Sequence, residues 1–293
     1  MTSRELKILN YLIILQLCSY KLNYVREIYS KYKNFLDRKI EDCFFEFDKK
    51  DQMIFKNLNK DVKLKALNCL EKYRNQIIFI EDLDFPNKLK EVQEYPIVLF
   101  YKGDLSLLKK VSISIVGTRQ PSEQTMLNTE AISHYLMGKN LTIVSGLAKG
   151  VDVTSHAYCM KNNYNNLIAV IGTPVDKYYP IENRMVQQFI EKNGLVISEF
   201  PDFEPIQKWN FPRRNYIMSA ISSATIVMQA GDTSGTVSQA RSTLKNGRPL
   251  FVPANVFDDP NNSWPFKFRN EFGRVFRFQY LSELEYLFEK EMR

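Results

Sequence analysis

Glycine is scarce and unevenly placed in this 293-residue sequence: there are 11, and none precedes Gly103. A hundred residues without glycine disfavour tight hairpins and suit helices joined by polar turns. Cysteine is scarcer still, at four. Cys18, Cys43, Cys69 and Cys159 lie far apart and form no C-x-x-C pair, which removes the usual basis for a zinc knuckle or a redox dithiol. Reduced, buried thiols are expected, and no metal site. The apolar run at residues 11–17 is far shorter than the roughly 18–20 residues of a membrane span, and no small-residue cleavage site comes after it. No membrane association is expected, and the cytoplasm is the expected location. Neither G-x-G-x-x-G nor G-x-x-x-x-G-K-[ST] occurs, so dinucleotide oxidoreduction and P-loop hydrolysis are disfavoured and no cofactor is expected.

What is present is an ordinary globular composition, 44% hydrophobic and 25% charged, in a chain long enough for about two domains. The net charge is +7, and residues 1–110 carry 21 Lys/Arg against 16 Asp/Glu while the remainder carries 19 against 17. This excess permits nucleic-acid binding without requiring it, because a local patch matters more than a total.

Along the chain, Leu6, Ile8, Leu9, Leu12, Ile13, Leu15 and Leu17 keep helical spacing, as do Val62, Leu64, Leu67, Cys69, Leu70 and Tyr73. Residues 1–75 therefore read as a small helical domain. Residues 76–110, with a strand-like run at 77–80 and prolines at Pro86 and Pro96, read as a linking segment that packs on the next domain. From residue 111 short β-branched runs alternate with helix-like stretches, the runs falling at 111–116, 141–144, 167–171, 195–197, 225–228 and 249–252. That alternation predicts an α/β fold over 111–293, a Rossmann-like, doubly wound and mostly parallel sheet. After Pro253 the pattern fades until a helix-like piece at 281–290.

Candidate chemistry sits where runs end. Gly117-Thr118-Arg119 offers a backbone turn, a hydroxyl and a guanidinium after the first run. Ser145-Gly146-Leu147-Ala148-Lys149-Gly150 brackets a lysine between glycines, and Ser234-Gly235-Thr236 opens a helix with free N–H groups; both suit a phosphate. Asp152 and His156, one helical turn apart, read either as a catalytic pair or as a helix cap with a packed imidazole, and the second reading carries more weight. His134, without a matching partner, reads as structural. Tyr178 and Tyr179 before Arg184 suit either base stacking or core packing. Arg213, Arg214 and Asn215 read as charge just before a helix at the sheet's edge. Several such turns in succession make a track of cations, better suited to a strand of nucleic acid than to one small molecule.

These segments carry a resemblance. Val-Gly-Thr-Arg (116–119), Val-Ser-Gly-Leu-Ala-Lys-Gly-Val-Asp-Val-Thr-Ser-His (144–156), Tyr-Pro-Ile-Glu-Asn-Arg (179–184), Ile-Ser-Glu-Phe-Pro (197–201), Phe-Pro-Arg-Arg-Asn (211–215) and Ser-Gly-Thr-Val-Ser-Gln-Ala-Arg (234–241) occur in the order and spacing of the DNA-processing protein A family (DprA/Smf). The resemblance covers residues 80–256. It implies a homodimeric, non-enzymatic single-stranded DNA-binding protein that loads the RecA recombinase onto incoming DNA in natural transformation. On that likeness Arg119 binds phosphate, Lys149 and Arg184 extend a basic groove, and Arg213, Arg214 and Asn215 line its edge. Ser145, Gly146, Ser234, Gly235 and Thr236 supply main-chain and hydroxyl contacts. The helical region resembles the family's sterile-alpha-motif-like extension in architecture alone. The sequence departs from the family at Glu123-Gln124, at Ala254 and at Trp264-Pro265-Phe266, and it ends without the length for a complete C-terminal winged helix. Two other readings stay open: a nucleotide-acting enzyme of the related phosphoribohydrolase-like group, although Gly231-Asp232-Thr233-Ser234-Gly235-Thr236 lacks that group's paired glycines, and a DNA-binding scaffold in defence or repair.

Overall fold

The computed structural model describes residues 1–34 and 36–291. Residue 35, in the expected helical region, and residues 292 and 293, in the expected Rossmann-like region, lie outside the described residues.

Among the described residues four α-helices come first: α1 (Ser3–Leu17), α2 (Leu22–Tyr32), α3 (Lys49–Phe55) and α4 (Lys60–Lys72). Their starts are written in the sequence. Thr2 and Glu5 form a reciprocal capping box on α1, and Asn59 accepts from the Val62 amide to cap α4, each supplying a partner to an otherwise unpaired N–H. Their apolar faces form one cluster with Ile77, Phe79, Val98 and Phe100, so the helices pack directly on the first two strands.

β1 (Ile77–Phe79), α5 (Asn87–Lys90) and β2 (Val98–Gly103) lead into the alternating part: β3 (Ser112–Val116), α6 (Glu123–Gly138), β4 (Thr142–Ser145), α7 (Val151–Lys161), β5 (Leu167–Val170), α8 (Arg184–Asn193), β6 (Leu195–Ser198), α9 (Asn210–Ile221), β7 (Ala224–Val227), α10 (Gly235–Lys245) and β8 (Leu250–Pro253). The chain continues through α11 (Ala254–Phe257), α12 (Trp264–Phe272), β9 (Val275–Phe278) and α13 (Leu281–Glu291). Among the described residues the strands make one sheet in the order β1-β2-β6-β5-β4-β3-β7-β8-β9. β3 to β9 are parallel to their neighbours, and β1 and β2 add antiparallel beyond β6. Strands β3 to β8 are buried at every position, as a parallel sheet covered by helices on both faces requires. The expected Rossmann-like, mostly parallel sheet with helices before it is the fold observed.

Two segments differ from the sequence reading. The pattern does not fade after Pro253: α11, α12 and the parallel strand β9 continue the winding. β9 has four residues, buried at its two ends and not between, too short to announce a period. Residues 211–215 do not precede a helix but form the first turns of α9, where Pro212 is tolerated because an early N–H needs no intrahelical partner.

Strand order reverses beside β3. The chain winds from β3 through β4 and β5 to β6, then returns to place β7 on the other side of β3. Neighbouring crossovers part there, leaving a crevice outside the strands' carboxyl ends.

Candidate nucleic-acid interface

A cavity of about 690 Å³ occupies that crevice. Gly117, Thr118 and Arg119 from the β3 turn face Ser234, Gly235 and Thr236 from the turn after β7, with Lys208, Phe211, Arg214 and Asn215 closing one side. A smaller cavity of about 70 Å³ adjoins it, sharing Arg119, Ala148, Tyr179, Phe211 and Arg214 and adding Gly146, Lys149 and Gly172.

Each wall is fixed by identifiable bonds. Thr118 N donates to Gln229 O at 2.8 Å and Thr236 Oγ1 to Gly117 O at 3.0 Å, tying the two phosphate-suited turns together across the switch point. Ser234 caps α10 by accepting from Thr236 N, so the helix's positive end faces the cavity. The turn after β4 is held by Asp152, which accepts from Gly146 N at 3.1 Å, and by Asn183, whose Nδ2 donates to Leu147 O at 2.8 Å. Gly150 sits at φ +80°, and a Cβ there would come within 2.3 Å of Thr118 O, which reserves the position for glycine.

The cations differ in availability. Arg119, Lys149 and Lys208 are exposed. Lys149 pairs with Glu182 at 2.8 Å, whereas no carboxylate pairs with Arg119 or Lys208 among the described residues. Arg214 is buried at 4% exposure. Its Nη1 donates to Val170 O at 2.8 Å and to Gly146 O, placing positive charge beneath the floor. Burial pulls its pKa down, Asp152 opposes that, and Arg119 adds to it; a guanidinium keeps its proton nonetheless. Tyr179 and Phe211 form an aromatic pair at the mouth, ring centroids 5.4 Å apart.

Of the residues expected at the site, the structure brings Gly117, Thr118, Arg119, Gly146, Lys149, Arg214, Asn215, Ser234, Gly235 and Thr236 to these two cavities. Three are elsewhere. Ser145 is fully buried and its Oγ donates to Ile115 O at 2.7 Å, bonding β4 to β3. Arg184 is exposed at the start of α8, its guanidinium 5.2 Å from the Tyr178 ring. Arg213 turns away from the cavities into a buried fork on Glu199, at 2.5 and 2.9 Å. Adjacent residues on a helix point about 100° apart, so Arg213 and Arg214 cannot share one edge. Sequence reasoning missed Lys208, which lies in a loop without a motif, and the placement of Phe211 opposite Tyr179.

Asp152 and His156 are not arranged as a catalytic pair. Asp152 is 5% exposed and spent on the turn. His156 is fully buried, and its pKa is pushed down to about 4 by burial, so the imidazole is neutral near pH 7. A second large cavity, about 670 Å³, lies beside α6, β8 and β9; the cation lining it, Arg277, forks onto Asp258 at 2.6–2.9 Å.

A doubly wound sheet whose switch-point turns present glycines, hydroxyls, a helix N-terminus and cations places the chain among Rossmann-like proteins. The family described as DNA recombination-mediator protein A matches residues 76–265, and the chain belongs to that family. It is 37% identical over 175 residues to the DNA processing protein DprA of Streptococcus pneumoniae, an alignment covering 59% of this chain and 61% of that one. It is 38% identical over 208 residues to the Bacillus subtilis DprA, covering 69% of each. The chain thus spans about three fifths of the length of the S. pneumoniae relative. Among solved structures, DprA from S. pneumoniae superposes with TM-score 0.71 at 27% identity, covering 97% of both chains. The Helicobacter pylori protein, solved for its single-stranded DNA binding mode, superposes with TM-score 0.64 at 27% identity, covering 74% of this chain and 97% of that one.

Proposed function

We propose that this protein binds single-stranded DNA in the switch-point groove as a recombination mediator. The observation that carries the reading is the pairing of two unneutralised cations, Arg119 and Lys208, with the Tyr179–Phe211 ring pair on one continuous cavity. Cations meet a phosphate backbone and rings stack on bases without regard to sequence. Family membership and the H. pylori relative's single-stranded DNA binding mode support the same reading. It is a reading of binding and not of catalysis, supported by the burial of Asp152 and His156. Lys149, Asn215 and the Ser234-Gly235-Thr236 turn add contacts to the backbone, Arg214 adds positive charge from beneath the floor, and Gly117, Thr118 and Gly146 let the strand approach.

Within this reading the protein acts in the cytoplasm as a homodimer and hands the strand to RecA, and residues 1–75, 76–110 and 111–293 are its helical, linking and DNA-binding parts. A structure with a short oligothymidine tests the site. Phosphates within hydrogen-bond reach of Arg119 and Lys149 are expected; a strand running elsewhere would overturn the assignment. Turnover of nucleoside monophosphates to free base would point instead to the nucleotide-acting alternative.

A further inference from the structure

Two loops deliver the aromatic and cationic rim of the groove, and both are anchored far from it. The loop after β5 brings Tyr179 to the mouth; the loop after β6 brings Lys208 and leads directly into the first turn of α9, which carries Phe211. Midway along the first, Val175 is fully buried in the hydrophobic cluster of the helical region, together with Tyr11, Cys69 and Tyr73. Midway along the second, Phe203 packs on that same cluster. Between these anchors stands Lys72, the last residue of α4. Its ammonium bridges Asp176 at 2.5 Å and Asp202 at 2.8 Å, one carboxylate from each loop. Lys72 itself does not line either cavity.

One cation holding two loops at a fixed separation is a device for setting an aperture. A single half-exposed ion pair contributes little, but here the bridge acts with Val175 and Phe203, so each loop is fixed by packing and by charge. A base can stack on the outer face of this ring pair only if Tyr179 and Phe211 keep their relative position, and the two rings lie four and eight residues beyond Val175 and Phe203. We propose that the helical region positions the mouth of the groove, with Lys72 as the positioning residue. The inference rests on the reading of this groove as a strand site.

The test uses the full chain and two readouts. Iodide quenching without DNA reports the loop after β6. Of the two tryptophans, Trp209 lies on that loop at 38% exposure, whereas Trp264 is 2% exposed. Titration with oligothymidine over a range of salt concentrations reports binding. Lys72→Met and Asp202→Asn are each expected to increase quenching severalfold and to weaken oligothymidine binding about fivefold, with the wild-type slope of log affinity against log salt, because no phosphate contact is lost. Lys72→Arg, which can still bridge, is expected to restore both. Asp202→Asn separates the explanations by sign: removing a negative charge near a DNA site tightens binding if charge alone matters, and weakens it if position matters. Unchanged quenching, or tighter binding by Asp202→Asn, would overturn the proposal. Absence of binding by the wild-type chain would instead sink the strand reading of the groove, while quenching would still decide whether Lys72 holds the loops.

Discussion

The Arg214 guanidinium crosses directly beneath Gly146: Nη1 donates to the Gly146 carbonyl, and a Cβ built on that glycine would lie 1.6 Å from Nη1. The turn after β4 and the second turn of α9 are thus one unit, in which a residue without a side chain makes room for a buried cation.

Gly146→Ala therefore forces Arg214 out of its position. The expected cost is about 1–3 kcal/mol, the usual range for overpacking, read by denaturant unfolding, together with weaker oligothymidine binding. A loss below about 0.5 kcal/mol would mean that the guanidinium has another place to go.

Arg213, the chain neighbour of a groove residue, has the opposite role. Its side chain is 6% exposed and that of Glu199 3%, so truncating the arginine leaves a buried carboxylate unpaired. Arg213→Ala is expected to cost about 3–5 kcal/mol, with much of the loss recovered by replacing both partners with apolar residues. The folded fraction should keep the wild-type salt dependence of DNA binding; a reduced slope would place Arg213 on the strand.

Glu182 neutralises Lys149 at 2.8 Å with both side chains about 60% exposed. Glu182→Gln should free the ammonium and tighten oligonucleotide binding severalfold at roughly 50 mM salt, with the gain fading toward roughly 500 mM as the screening length shortens. An equal gain at every ionic strength would indicate a change of shape instead of charge.

Glu204 gives the protein a pH dependence. It is 6% exposed, and burial, then the nearby Glu199, push its pKa up from 4.5 to about 8. Between those values the native chain keeps a proton that the unfolded chain has released, so this group makes stability fall as pH rises through the window. Glu204→Gln removes the effect. The variant should melt with the wild type near pH 5 and several degrees higher above pH 8; a constant difference would contradict the assignment.

Much of the fold and the groove was legible because local chemistry and global architecture agree. The β-branched runs from residue 111 became β3 to β8, and the glycine turns at 117, 146 and 235 reached one crevice, since each comes after a strand that ends at the same edge of the sheet. What was hidden depends on direction or distance. Phe-Pro-Arg-Arg-Asn shows two cations in sequence but not that helix geometry sends one to Glu199 and the other under Gly146. Lys208 belongs to no pattern, and its position comes from a loop pinned by residues of a different region. Strand β9 is too short for a period, and Trp264 starts α12 and donates from Nε1 to Ala230 O at 3.1 Å, a contact that only the fold creates.

The most direct measurement is the affinity for labelled oligothymidine and for a mixed-sequence strand as salt is raised, in the wild type, Arg119→Ala and Lys208→Ala. Each phosphate contact on a single strand contributes about 0.7 to the slope of log affinity against log salt. The wild type should bind at low salt, and each variant should bind both strands alike more weakly, with the slope reduced by about 0.7. No binding by the wild type, or variants that match it in both affinity and slope, would contradict a strand site at the switch point.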